Sequence, residues 1–316
     1  MTNPPEDHPY ELSIAPSQES AAAADPQAVD AAEPPLFASF TQPPVLRPKR
    51  IPHMGHLLLL LVMLLGALLV LGVALAIAAF VHLFGWQFTP KAATNIGFNL
   101  AAEAILYLVT FALALVVFPV LWHKSYFSGL QWNGQIARER FWMLFAIALG
   151  CFGLAGLDEY LLPGPTNAPI EKMINSPAAA WVMFAFGVTM APFFEEMFFR
   201  GFLLPALATA TDWIAEKLRR TPSLPLDVDG GPQWSLPAMA IASIITSLLF
   251  ALLHSAQQGH AIGPFLLLVA VSLILCAVRL QTRSLAASTL VHASYNFFIF
   301  VIELIATGGF RHFDKM

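Results

Sequence analysis

Two carboxylates and a guanidinium stand in the run Phe193-Phe194-Glu195-Glu196-Met197-Phe198-Phe199-Arg200, inside a stretch apolar and long enough to span a bilayer. A charge at the bilayer centre costs about 2.5–3.5 kcal/mol on insertion scales, so three charges in six residues need partners. Residues three or four apart on a helix share a face, which lets Glu196 pair with Arg200. Glu195 projects about 100° away from its neighbour. One carboxylate is then neutralised, and the other is left to face a cavity. A carboxylate in that position can take a proton from water and return it, as a general base and acid. A buried ion pair that fixes helix packing would account for Glu196 and Arg200, but not for Glu195.

Two later apolar stretches carry groups that could complete such a site. Phe250-Ala251-Leu252-Leu253-His254 closes one of them, and His292-Ala293-Ser294-Tyr295-Asn296 lies within the other. His292 and Asn296 are four apart and project from one face. Two hydrogen-bonding side chains on an otherwise apolar helix are costly unless satisfied. Taken singly, His254 reads equally as an interfacial residue at a helix end, and the His292/Asn296 pair as glue between helices. Together the three stretches offer two carboxylates, one arginine, two histidines and one asparagine.

The elements that must position these groups are membrane helices. The chain is 57% hydrophobic and 11% charged, with a mean hydropathy of +0.67, against about 25% charged residues in soluble domains. No basic surface suggests a nucleic-acid partner; the net charge is −4, and no Lys or Arg precedes Arg47. Cys151 and Cys276 fall in apolar runs and read as small packing residues. Residues 1–50 are rich in Pro, Ala, Ser and acids and read as a disordered, solvating tail. They lack the basic start and apolar core of a signal peptide. Residues 51–316 form the membrane-embedded domain, with the motifs concentrated in 178–300.

A spanning helix needs about 20 apolar residues. Seven stretches qualify, near 57–84, 97–121, 141–157, 178–207, 237–255, 264–279 and 284–306. An eighth, half-buried element within 125–140 or 160–176 would change the parity. The fold expected is all-α, a polytopic bundle of seven or eight spans. Arg47, Lys49 and Arg50, then Lys124, Arg138 and Arg140, Lys217, Arg219 and Arg220, and Arg279 and Arg283 fall on one side of seven spans. The positive-inside rule makes that side, and the N-terminus, cytoplasmic. No internal repeat supports a transporter built from inverted halves. Glu103, Asp158 and Glu159 read as interfacial.

The Glu-Glu-x-x-x-Arg, Phe-x-x-x-His and His-x-x-x-Asn segments, in this order and on separate spans, resemble the CPBP family. That family of intramembrane proteases includes the CAAX prenyl endopeptidases and bacterial bacteriocin-processing or immunity (Abi) proteins. Thr282-Arg283-Ser284-Leu285 also resembles the family's usual start to the helix that carries the third motif. Each motif alone is weak, and three in register are strong. The resemblance implies an endopeptidase in which Glu195 activates water and His254 binds and orients it. Glu196, held by Arg200, supports the first carboxylate. His292 and Asn296 donate to the developing oxyanion, a role that suits neutral donors in a low-dielectric pocket. The implied partners are a peptide or protein substrate and the bilayer; the implied location is a membrane, the inner one in a bacterium.

No cofactor is favoured. The alternative is a zinc metalloendopeptidase with Glu195, His254 and His292 as ligands and one open position, but His-Glu-x-x-His is absent and Asn is a poor zinc ligand. Two further alternatives remain: a non-catalytic scaffold or immunity protein on the same fold, and a transporter or channel with Glu195 as a proton site. Neither Gly-x-Ser-Gly nor Gly-x-Gly-Asp occurs. One difficulty is geometric. His254 ends its span, whereas His292 lies about 12 Å inside its own at helical rise. On straight, full-length helices the two would not meet.

Overall fold

A computed structural model describes residues 50–82, 95–164, 176–226 and 230–311. The tail expected over 1–50 lies outside the described residues except for Arg50, as does most of 160–176. The described chain is helical. α1 spans Met54–Phe80, α2 Ile96–Trp122, α3 Tyr126–Gly129, α4 Gly134–Glu139, and α5 Phe141–Leu161. α6 spans Pro177–Val188 and α7 Met190–Glu196; a π-helical segment, Met197–Leu203, leads into α8, Leu204–Arg219. α9 covers Leu236–Ser255, α10 Ile262–Thr282 and α11 Leu285–Ala306. Among the described residues seven stretches are long and apolar enough to cross a bilayer, with α6 through α8 counted as one. This is a multi-pass integral membrane protein.

Capping residues set the boundaries. Asn95, Ser125, Asn133, Ser176, Ser235 and Ser284 each accept a backbone N–H in the first turn of the helix they precede. Such a cap is worth about 1 kcal/mol. At the other ends His123, Arg220 and Arg283 adopt left-handed φ of 53°, 55° and 51° and turn the chain out of the helix.

The bundle has an inner and an outer layer. In α1, α2 and α5, 17% of the most apolar window is buried within the protein, against 39% in α10 and α11. The outer helices therefore turn apolar side chains such as Val62, Leu69, Val116 and Leu157 outward, where lipid takes the place of a protein core. α10 and α11 sit inside, with α9 packed on α10 and α5 on α11. One core cluster gathers Phe118, Trp122, Leu130, Phe202 and Leu285; another gathers Leu144, Val271, Leu275 and Val291.

The stretch from Pro177 to Arg219 holds 43 residues. A straight helix of that length would run roughly 65 Å, about twice the hydrocarbon thickness. It is broken instead. Pro192 has no N–H to offer the Val188 carbonyl and crowds it. The helix accordingly stops at Thr189, with φ −116° and ψ −70°, and restarts at Met190. The sequence pattern suggested one span ending near 207; the break and the π turn explain why the segment continues to Arg219.

The remaining polar groups tie elements together. Ser284 Oγ donates to the Asn133 carbonyl at 2.7 Å, Leu285 N to Gln131 O at 3.0 Å, and Arg279 to Gln131 Oε1 at 2.8 Å. These bonds fix the start of α11 to the 130–133 turn. Arg50 does not sit as an open charge at the interface. Its guanidinium is 2.6 Å from Glu216 and 3.9 Å from Asp212, with side-chain exposures of 7%, 14% and 5%. Asp212 in turn accepts from Ser235 N at 2.9 Å. Arg50 thus joins the start of α1 to the end of α8 and the start of α9. Arg50→Met leaves the buried Asp212 and the partly buried Glu216 without their cation, a loss somewhat below the roughly 3–5 kcal/mol of a fully buried pair. The purified variant should melt well below the parent in detergent; an unchanged melting temperature would show that the cluster carries no stability.

Candidate active site

The π-helical segment begins directly after Glu196. Its wider turn changes the helical register where the charges stand, a device found mostly at functional sites. Glu196 and Arg200 are both fully buried, with Arg200 Nη1 donating to Glu196 Oε1 at 2.8 Å. Arg200 Nη2 donates to Ser272 Oγ at 2.6 Å and to the Ser272 carbonyl at 3.2 Å. The Phe250 ring lies 4.8 Å from the guanidinium carbon, adding a cation–π contact. The arginine fork is therefore used in two directions, joining α7 to α10.

Glu195 faces the other way. His254 Nε2 is 3.7 Å from Glu195 Oε1, and His292 Nε2 is 3.7 Å from Glu195 Oε2. The glutamate side chain retains 18% exposure, His254 21% and His292 6%. The histidines meet because the C-terminal end of α9 lies level with the second turn of α11. The helices are staggered rather than aligned end to end, which resolves the mismatch in depth expected from straight spans. Phe250 packs between them, with ring centroids 4.4 Å from His254 and 5.8 Å from His292.

The second ring nitrogen of each histidine is committed. His254 Nδ1 is 2.8 Å from the Phe250 carbonyl, and His292 Nδ1 is 3.0 Å from Glu196 Oε1. A carbonyl can only accept, and an ionised carboxylate beside an always-charged arginine can only accept. Both Nδ1 atoms therefore carry the proton. A neutral ring then turns the Nε2 lone pair toward Glu195, and only the imidazolium donates from that atom. In that tautomer a neutral His292 donates to Glu196 and accepts on the side of Glu195. Asn296 Nδ2 donates to the Gly187 carbonyl at 2.8 Å, which leaves its second amide hydrogen. That bond requires α6 to approach α11 closely, and Gly187 permits it. A Cβ there would come within 2.8 Å of the Phe300 ring.

A cavity of about 240 Å³ adjoins Glu195. Its wall is almost wholly apolar, built from Leu60, Phe111, Ala114, Phe198 and Phe202 among others. Glu195 is its one ionisable carboxylate.

Five of the six expected side chains, Glu195, Glu196, Arg200, His254 and His292, are thus in mutual contact, brought together by α7, the π-helical segment, α9 and α11, while Asn296 lies one turn beyond His292 on α11 and is bonded to the Gly187 carbonyl. Zinc accepts two imidazole nitrogens and a carboxylate, and metal-bound histidines commonly donate from the other nitrogen as these do. Among the described residues no three of His, Cys, Asp and Glu are grouped at the spacing of a metal site. Sequence reasoning missed Ser272 and Ser288. Ser272 is a lone hydroxyl in the apolar run Leu266 to Cys276. Ser288 lies four residues before His292, hence on its face, and stands beside Glu196. Glu103, expected at the interface, accepts the Tyr107 hydroxyl at 2.7 Å. Cys151 and Cys276 are buried and free, as expected of packing residues.

Residues 177–298 match the family model of the Rce1-like, type II CAAX prenyl endopeptidase Rce1-like proteins. That stretch, which holds every residue of the three motifs, is therefore similar to Rce1-like domains. No curated protein and no solved structure matches the chain.

Arg200→Met strands Glu196 in the bilayer and should destabilise the protein by about 3–5 kcal/mol. Glu196→Gln combined with Arg200→Met removes the stranded charge and should recover a substantial part of that loss. Thermal unfolding of the two variants in detergent checks this; equal melting temperatures would contradict the pairing.

Proposed function

We propose that this protein is an intramembrane endopeptidase of the CAAX-protease type, with Glu195 as the base that activates water. The observation that carries the reading is the approach of Nε2 from both His254 and His292 to the two oxygens of Glu195, each at 3.7 Å. That separation is too long for a direct hydrogen bond and suits one small polar molecule shared by the three side chains. Water is both that molecule and the second substrate of hydrolysis.

Glu195 takes a proton from the water, whose oxygen attacks the peptide carbonyl carbon. The second amide hydrogen of Asn296 stabilises the oxyanion that forms. His292 adds to this when its Nε2 carries a proton. When the carbon–nitrogen bond breaks, Glu195 returns the proton to the leaving nitrogen. Glu196 and Arg200 fix the His292 ring and leave little net charge behind it. His254, held through the Phe250 carbonyl, orients the water. The oxyanion donors act in an apolar surround, where such bonds strengthen as charge develops. Catalysis by glutamate alone, rather than by zinc, is part of this reading. So is a cytoplasmic N-terminus, which rests on the distribution of basic residues.

Removing the base should lower kcat by about 10²–10⁴-fold. Membrane proteomes of cells carrying the parent or Glu195→Ala should differ in new peptide termini, present only with the parent. If no terminus depends on Glu195 while the variant is folded and sustains the protein's cellular role, the chain acts as a scaffold and not as a protease. With the purified enzyme, 1,10-phenanthroline and EDTA should leave cleavage of such a substrate unchanged; loss of activity restored by zinc would transfer the water to a metal.

A further inference from the structure

Glu195 stands on the far arm of a broken helix, so its aim depends on what holds the break. α6 ends at Val188 and α7 begins at Met190, and Pro192 deprives the Val188 carbonyl of its usual partner. Two groups hold the chain at the break. On one side Asn296 holds the Gly187 carbonyl. On the other side stands Tyr107 of α2, outside the stretch that matches the family model.

The Tyr107 ring stacks on Phe186 at 6.3 Å with an interplanar angle of 13°, and lies against Phe194 at 4.9 Å. Phe186 belongs to α6, before the break. Phe194 belongs to α7, after it, and immediately precedes Glu195. One ring thus touches both arms of the hinge. The Tyr107 hydroxyl donates to Glu103 Oε1 at 2.7 Å, one turn earlier on α2. A carboxylate in a membrane span is costly, and here it fixes the rotation of the one ring that bridges the hinge. Tyr107 and Glu195 also line the same cavity.

We propose that Tyr107 is a positioning residue for Glu195 and that Glu103 is its tether. The pair clamps the α6–α7 hinge and so sets the angle at which Glu195 meets the two histidines. The positioning role rests on the endopeptidase reading above; the clamp itself does not. Tyr107→Phe keeps the ring and removes the tether. Glu103→Ala also removes it, whereas Glu103→Gln retains a carbonyl oxygen that accepts the same hydroxyl.

The test has two arms. In the first, kcat and KM are measured for the three variants on a peptide cleaved by the parent. Tyr107→Phe and Glu103→Ala should lower kcat by about 10–100-fold, the scale of a small misplacement of a catalytic group. KM should stay within about twofold, and Glu103→Gln should remain near the parent, because the tether and not substrate binding has been changed. In the second arm, spin labels at Val182→Cys and Leu218→Cys report the distance across the hinge. Both sites are exposed, and the native cysteines are buried. The distance distribution should broaden in Tyr107→Phe and Glu103→Ala, but not in Glu103→Gln. Unchanged distributions, unchanged kcat, or Glu103→Gln as impaired as Glu103→Ala would each overturn the proposal. Broadened distributions in a protein whose parent cleaves no peptide would uphold the clamp and sink the endopeptidase reading alone.

Discussion

The Glu196–Arg200 pair governs the rest of the structure. Two fully buried charges at membrane depth are tolerable only if each cancels the other and the surrounding polar atoms are engaged. Arg200 divides its fork between Glu196 and Ser272, and Glu196 accepts from His292 on the oxygen that already meets Arg200. One ion pair therefore pins α7, α10 and α11 to a common point. With its nearest cation committed to Glu196, Glu195 faces the two Nε2 atoms instead. The carboxylate held in the ion pair and the carboxylate proposed to activate water are neighbours in sequence, separated by helical angle alone.

Much of this was legible in the sequence, for physical reasons. Charges in apolar runs are rare enough that Glu195, Glu196 and Arg200 stand out, and spacing by four identified the Glu196–Arg200 and His292–Asn296 faces. Seven spans followed from length and hydropathy. Spacing within a single helix says nothing of how helices are staggered, so the motifs implied that His254 and His292 share a site but not the stagger that lets them meet. Nor did they imply the commitment of both Nδ1 atoms, which depends on a backbone carbonyl at one histidine and on a residue 96 positions away at the other. The pairing of Arg50 with Glu216 was out of reach for the same reason. Near the end of an apolar run, a charge that faces water and one that faces another helix look alike in sequence.

Departures from ideal helix geometry gather around Glu195. Pro192 breaks the helix four residues before Glu196, and the π turn widens it immediately after. Between the two, the chain turns Glu195 toward the histidines and the adjoining cavity, while Glu196 stays fully buried. The open groups at the break do not go unused: Thr189 Oγ1 donates to Ala185 O at 2.6 Å, and the Gly187 carbonyl accepts from Asn296. The interruption that turns Glu195 toward the histidines thus also leaves the carbonyl that holds Asn296.

The central claim is that Glu195 activates water without itself becoming bonded to the substrate. A single turnover of the purified protein in H₂¹⁸O, with enzyme in excess over a cleavable peptide, tests this directly. The account predicts one ¹⁸O atom in the newly formed carboxylate of every product molecule, and no product from Glu195→Gln. First-turnover product that carries an unlabelled oxygen drawn from the protein, or cleavage that persists in Glu195→Gln, would contradict it.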